Sequence, residues 1–175
     1  VPTLIPVFIA LALIFRFTSL FLSIRHEKAL KKAGAREYGA GNSKALAAMH
    51  ILFYVAAIAE GTLMPGAWST ALMTAGIVLY VLAALALVSV IRSLGPLWTI
   101  KIIIAPGHPV VRSGLFRWVR HPNYFLNVLP ELIGFALALN AVTTLLVGIP
   151  LYLVPLIIRI RQEEQVMRDE VSGYA

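Results

Sequence analysis

Arg117, Arg120 and His121 stand directly before Pro122, in the stretch Gly114 to Tyr124 that reads GLFRWVRHPNY. Proline suits the first turn of a helix, because its missing N–H would lack a partner there. Three potentially cationic side chains and the free N–H groups of a helix start therefore meet at one place. Such a place holds an anion well. The same residues also fit a plain positive-inside anchor ahead of an ordinary membrane helix. Further on, Arg159, Arg161, Glu163 and Glu164 follow another apolar run. Adjacent Glu163 and Glu164 point about 100° apart on a helix and so cannot make the same contact.

The elements that carry these residues are legible in the composition. Of 175 residues, 59% are hydrophobic and 13% charged, with a mean hydropathy of +0.85. Soluble domains carry about 25% charged residues. This is the composition of an integral membrane protein, and the length suits a single domain, 1–175. Without cysteine there is no disulfide, thiolate metal ligand or cysteine nucleophile. No metal-binding HExxH, Walker A, GxGxxG or GxSxG motif occurs, and no cleavable leader is evident at the start.

Apolar segments predict five spans, at 2–24, 45–64, 69–91, 122–139 and 141–158. Pro65, Gly66 and Trp68 predict a short turn that makes the second and third spans an antiparallel hairpin. Asn140 marks another tight turn. Pro130, Pro150 and Pro155 sit inside the last two spans and can kink them. Between Arg25 and Lys44 lies a basic loop, in which the Glu27 and Lys31 spacing allows an interfacial helix ended by Gly34. The connection from Arg92 to His121 is too long for a bare linker. Its TIKIIIAPGHPVV segment predicts a strand-like piece or a lid over the mouth of the bundle.

Fourteen of the fifteen Lys and Arg residues fall in the loops after spans one and three or in the C-terminal tail; Arg16 is the other. The positive-inside rule then predicts an outside N-terminus and a cytosolic C-terminus. The basic excess is thus topological, which argues against nucleic acid as a partner. Polar residues inside the spans must face a cavity or another helix. Tyr124, Asn127 and Glu131 form such a stripe, with Glu131 free to act chemically or to pair with Arg16 or His50; Glu60 reads as structural.

The pair Arg120-His121-Pro122-Asn123-Tyr124 and Glu163-Glu164-Gln165-Val166-Met167, about forty residues apart, resembles the RHPxY and EExxM/L motifs of integral membrane methyltransferases. These include the isoprenylcysteine carboxyl methyltransferases and phospholipid N-methyltransferases. Arg25 to Gly39 and LWTIKIIIAPGHPVVRSGLF are similar to a bacterial branch that includes alkylpyrone O-methyltransferases. The resemblance implies an all-α, five-helix protein of a bacterial cytoplasmic membrane, capped on its cytosolic side by the third-to-fourth connection and the C-terminal helix. It implies S-adenosylmethionine as cofactor, contacted by His121, Pro122, Tyr124 and Glu163 or Glu164, with His108, Gly114 and Leu115 over the adenosine. Arg120 and Arg159 would hold the anion of a lipophilic acceptor, with Arg161 the local ambiguity.

The arginines favour an acidic oxygen acceptor, because guanidinium stays charged and offers a planar fork of donors. Glu131 keeps an amine acceptor open, since an amine must lose a proton. A small transporter or structural membrane subunit is the non-enzymatic alternative.

Overall fold

A computed structural model of the chain describes residues 2–64, 68–171 and 173–174. Pro65 and Gly66 of the predicted turn lie outside the described residues. Among the described residues, four helices are long and apolar enough to cross a membrane: α1 (Leu4–Lys32), α2 (Ala40–Leu63), α3 (Thr70–Leu94, continued by one 3₁₀ turn to Leu97) and α5 (Val142–Glu170). Their outward faces carry large apolar side chains such as Phe17, Phe21, Leu146 and Val154. The chain is a multi-pass integral membrane protein.

The predicted fourth span differs from the others. It is a π-helical turn (Asn123–Val128) followed by α4 (Leu129–Ala138), and it is shorter than its neighbours. Sixteen helical residues reach about 24 Å, short of a hydrocarbon core of about 30 Å. Instead α4 is enclosed: Glu131, Leu132, Gly134, Phe135, Ala136 and Ala138 are all buried. A helix wrapped in protein need not match the bilayer, because neighbouring chain segments satisfy its ends.

Small residues permit that enclosure. A Cβ added to Gly76 would lie 2.2 Å from the backbone nitrogen of Ala138, and one on Gly134 would lie 2.6 Å from that of Tyr80. Helix α3 therefore packs backbone to backbone on α4, the close approach that glycine allows between membrane helices. This corrects the predicted hairpin, since α4 is the main neighbour of α3 and α5 the main neighbour of α2. Phe135 anchors the centre, its ring stacked on Tyr54 at 4.0 Å.

The span ends also move. Helix α1 runs eight residues beyond Ile24 and stops at Lys32, with Gly34 at φ +88° just after it, and α2 begins at Ala40. The Lys31 ammonium lies 2.6 Å from Glu27, the expected i, i+4 pair. At the opposite end of the bundle Asn140 takes φ 53°, and its side-chain oxygen accepts from Ser69 N–H at 2.8 Å. Glu60 accepts from the N–H groups of Thr143 and Thr144 at 2.8 and 2.7 Å, capping α5 from a neighbouring helix. Its structural role is as predicted.

The architecture is all-α apart from one short ladder. Residues Arg36–Tyr38 (β1) pair antiparallel with Ile102–Ile104 (β2), Glu37 opposite Ile103. β-Branched isoleucines suit a strand, and all three are buried because both faces are covered. Ile102 and Ile104 pack with Met167 of α5 and Val171 just beyond its end. The strand-like reading is the one observed: the segment forms a short ladder that covers one side of a cavity.

Three contacts fasten this cover to α1. Ser23 Oγ accepts from Ile100 N–H at 2.9 Å, and His26 Nδ1 meets the Trp98 carbonyl at 2.8 Å. Lys101 lies 2.7 Å from Glu27 and 3.4 Å from Glu37.

Candidate active site

Beneath the cover lies a cavity of about 590 Å³, within the range of small-molecule sites. Its wall combines β2, His108 to Arg112 and Phe116–Arg117 of the connection, the start of the π-helical turn, and α5 at Arg159, Glu163 and Met167. The two motifs, far apart in the chain, meet in its wall.

Tyr124 is the junction. Its hydroxyl donates to Glu163 Oε2 and accepts from Arg159 Nε at 3.1 Å. His121 is buried and its Nε2 lies 3.1 Å from Glu164 Oε1, while its other ring nitrogen is 4.0 Å from Glu163. The two glutamates thus take different primary partners, as their angular separation requires. Pro122, fully buried, opens the π-helical turn as its N-terminal cap. Such turns are rare and recur at functional sites.

The arginines behave differently from one another. Arg159 is 3% exposed, borders the cavity, and donates also to Ser43 Oγ at 2.6 Å and the Ile100 carbonyl at 2.5 Å. Arg120 lines the rim, with its side chain 71% exposed, 3.8 Å from Glu164 and 6.0 Å above the Tyr174 ring. Arg161 is exposed and does not line the cavity. Two residues along a helix turn a side chain about 200° away, which separates Arg161 from Arg159.

Of the remaining expected residues, His108 lines the cavity with its Nδ1 buried and unpartnered, and burial holds its pKa below the usual histidine value. Gly114 and Leu115 do not line it. Gly114, at φ +60°, packs on Ser93, where a Cβ would meet the hydroxyl at 2.4 Å. Leu115 sits in an apolar cluster with Leu87, Val90 and Trp98, and faces a separate groove between α3 and the π-helical turn. Glu131 is likewise elsewhere. It accepts from Tyr54, lies 2.7 Å from Arg16 and 3.6 Å from His50, and is absent from the cavity wall. Pairing with Arg16 and His50, one of its two predicted roles, is the one observed. Ser43, the Ile100 carbonyl and Tyr174 join the site without any signal in the sequence.

A family model described as the isoprenylcysteine carboxyl methyltransferase (ICMT) family matches residues 76–169, more than half of the chain. The chain belongs to this family. An uncharacterized protein of Haemophilus influenzae is 48% identical over 158 residues, covering 90% of this chain and 91% of its own. The Bacillus subtilis protein YpbQ, also described as uncharacterized, is 31% identical over 169 residues, 92% of this chain and 95% of its own. No solved structure matches.

Membership of the ICMT family makes the chain an enzyme of a class that uses S-adenosylmethionine to transfer methyl groups, which displaces the transporter and structural-subunit readings. The cavity fits that cofactor in kind. It presents a carboxylate at Glu163, aromatic rings at Tyr124 and Tyr174, and an unpartnered buried nitrogen at His108. These suit the amino, adenosine and ribose groups of a polar, partly aromatic molecule.

Proposed function

We propose that this enzyme methylates an acidic oxygen, a carboxylate or an enol such as that of an alkylpyrone, on a lipophilic acceptor at the cytosolic membrane face. The observation that carries this reading is Arg159, a buried guanidinium bordering the cavity beside the Tyr124–Glu163 pair.

His121, Pro122, Tyr124, Glu163, Glu164 and His108 would hold the cofactor. Bound S-adenosylmethionine supplies an electrophilic methyl group on a sulfonium. Glu163 offers the charge to receive its amino group, and Tyr124 fixes the direction of that carboxylate. Arg159, with Arg120 at the rim, would hold the acceptor anion. An ionised oxygen needs no base; it needs a donor that orients it, and orientation supplies much of the rate in an in-line displacement. The apolar groove of about 400 Å³ lined by Leu82, Leu115, Leu126 and Pro130, separate from the cavity, would receive the acceptor's tail on the α3 side. That geometry supports Leu115 as a contact for the tail, with Gly114 shaping the loop behind it.

Glu131, engaged by Arg16 and Tyr54, is poorly placed to serve as the base that an amine acceptor requires. For the membrane arrangement, the reading is one domain with five crossings, N-terminus outside, in a bacterial cytoplasmic membrane. The short α4 serves as the enclosed fourth crossing. Cysteine labelling of Asn140 from outside and of Arg36 from the cytosol tests this orientation, and the reverse pattern refutes it.

The decisive experiment incubates detergent-purified protein with radiolabelled S-adenosylmethionine and, in parallel, an alkyl hydroxypyrone or phosphatidylethanolamine. Label in the pyrone supports the reading; label only in the amine lipid overturns it. His121→Ala and Glu163→Ala should each weaken cofactor binding about 10- to 150-fold in titration calorimetry, one charge-assisted hydrogen bond's worth.

A further inference from the structure

Arg159 is gripped from three sides. A guanidinium carries five N–H donors in one plane. Three are engaged: Nε on the Tyr124 hydroxyl, Nη1 on Ser43 Oγ and Nη2 on the Ile100 carbonyl. One N–H on each terminal nitrogen is left over, and the group borders the cavity. A planar anion such as a carboxylate takes two such N–H donors from one guanidinium.

The three anchors come from different parts of the chain. Tyr124 belongs to the shared motif. The Ile100 peptide is itself fixed, its N–H on Ser23 of α1. Ser43 lies in the first turns of α2, outside the 76–169 stretch that the family model matches. Its hydroxyl has no capping duty: the N-cap of α2 is Gly39, and the Ser43 N–H follows the ordinary helical pattern to the Gly39 carbonyl. A buried hydroxyl in an apolar helix, with the Arg159 guanidinium as its hydrogen-bond partner, is a group placed for that guanidinium.

We propose that Ser43 is a positioning residue for methyl transfer: it fixes the plane of Arg159 so that the two remaining N–H groups meet the acceptor oxygens. The proposal rests on the reading of Arg159 as the acceptor's clamp. It implies that the first half of the chain, not the family motifs alone, tunes which acceptor is held.

The test uses the full-length enzyme in detergent, with radiolabelled S-adenosylmethionine and an alkyl hydroxypyrone as probe. Ser43→Ala should raise the acceptor KM at least tenfold, a lost hydrogen bond to a charged group, with cofactor affinity unchanged. In an Arg159→Ala background the same substitution should add less than about twofold, since it acts only through Arg159. An unchanged acceptor KM in Ser43→Ala, alongside a raised one in Arg159→Ala, overturns the proposal and leaves the clamp reading standing. An equal cost of Ser43→Ala with and without Arg159 also overturns it. Full turnover by Arg159→Ala removes the clamp reading, and this proposal with it. A second measurement needs no acceptor. Nitrogen NMR relaxation of the Arg159 Nε–H should report a rigid group in the wild type and a mobile one in Ser43→Ala; equal rigidity in both counts against the proposal.

Discussion

Arg159 donates to Tyr124 across the base of the cavity, Nε to hydroxyl at 3.1 Å, and the same hydroxyl donates onward to Glu163. One oxygen thus joins the group proposed for the acceptor to the group proposed for the cofactor. Tyr124→Phe keeps the ring and removes the link. It should lower kcat/KM about 10- to 100-fold and weaken cofactor affinity by a smaller factor. Steady-state kinetics with calorimetry checks this; equal values for Phe and Tyr would mean that the bridge has no part in turnover.

Arg159 and Arg161 are separated by exposure rather than by sequence. Arg159→Lys keeps the charge and loses the planar fork, so turnover should fall at least tenfold, whereas Arg161→Ala should stay within about twofold of wild type. The opposite ranking in a methyl-transfer assay would move the acceptor role to Arg161.

Helices α3 and α4 touch at Gly76 and Gly134, where an added Cβ would meet backbone rather than a yielding side chain. Gly76→Ala should cost about 3 kcal/mol, at the upper end of ordinary overpacking. Gly41→Ala, with nothing within 4 Å of the new Cβ, should change stability by no more than about 1 kcal/mol. Thermal unfolding in detergent ranks the two.

The cover's charge cluster makes its docking pH-dependent at both extremes. The hydrogen bond from Lys31 holds the Glu37 carboxyl below its usual value of 4.5, and the hydrogen bond to Glu27 raises Lys101 above 10.5. The Glu37 contribution is complete above the ordinary carboxylate value and is lost as pH falls through the lowered one. The Lys101 contribution is complete below the ordinary lysine value and is lost as pH rises through the raised one. Trp98, buried where the cover meets α1, reports this in a variant with the other tryptophans replaced by Phe. Its emission should hold steady between those limits and shift to the red outside them, and Lys101→Met should abolish the alkaline shift.

Apolar run lengths and the distribution of Lys and Arg are local properties, and they carry the membrane character and the approximate helix positions. The RHPNY and EEQVM motifs are local too, and they carry the resemblance to the methyltransferase family. Pairing was another matter. Hydropathy records that a residue avoids water and is silent on whether it meets lipid or protein, so the enclosure of α4 and its wedge beside α3 were invisible. The antiparallel hairpin failed for that reason. Glu131 had two chemically reasonable fates, and the choice depended on Arg16, 115 positions away in the chain, arriving at 2.7 Å. Arg159 and Arg161 are equivalent as letters; helix rotation against α2 buried the first and left the second in solvent. Ser43 had no signature at all, because a serine hydroxyl acquires a role from the partner that packing brings to it.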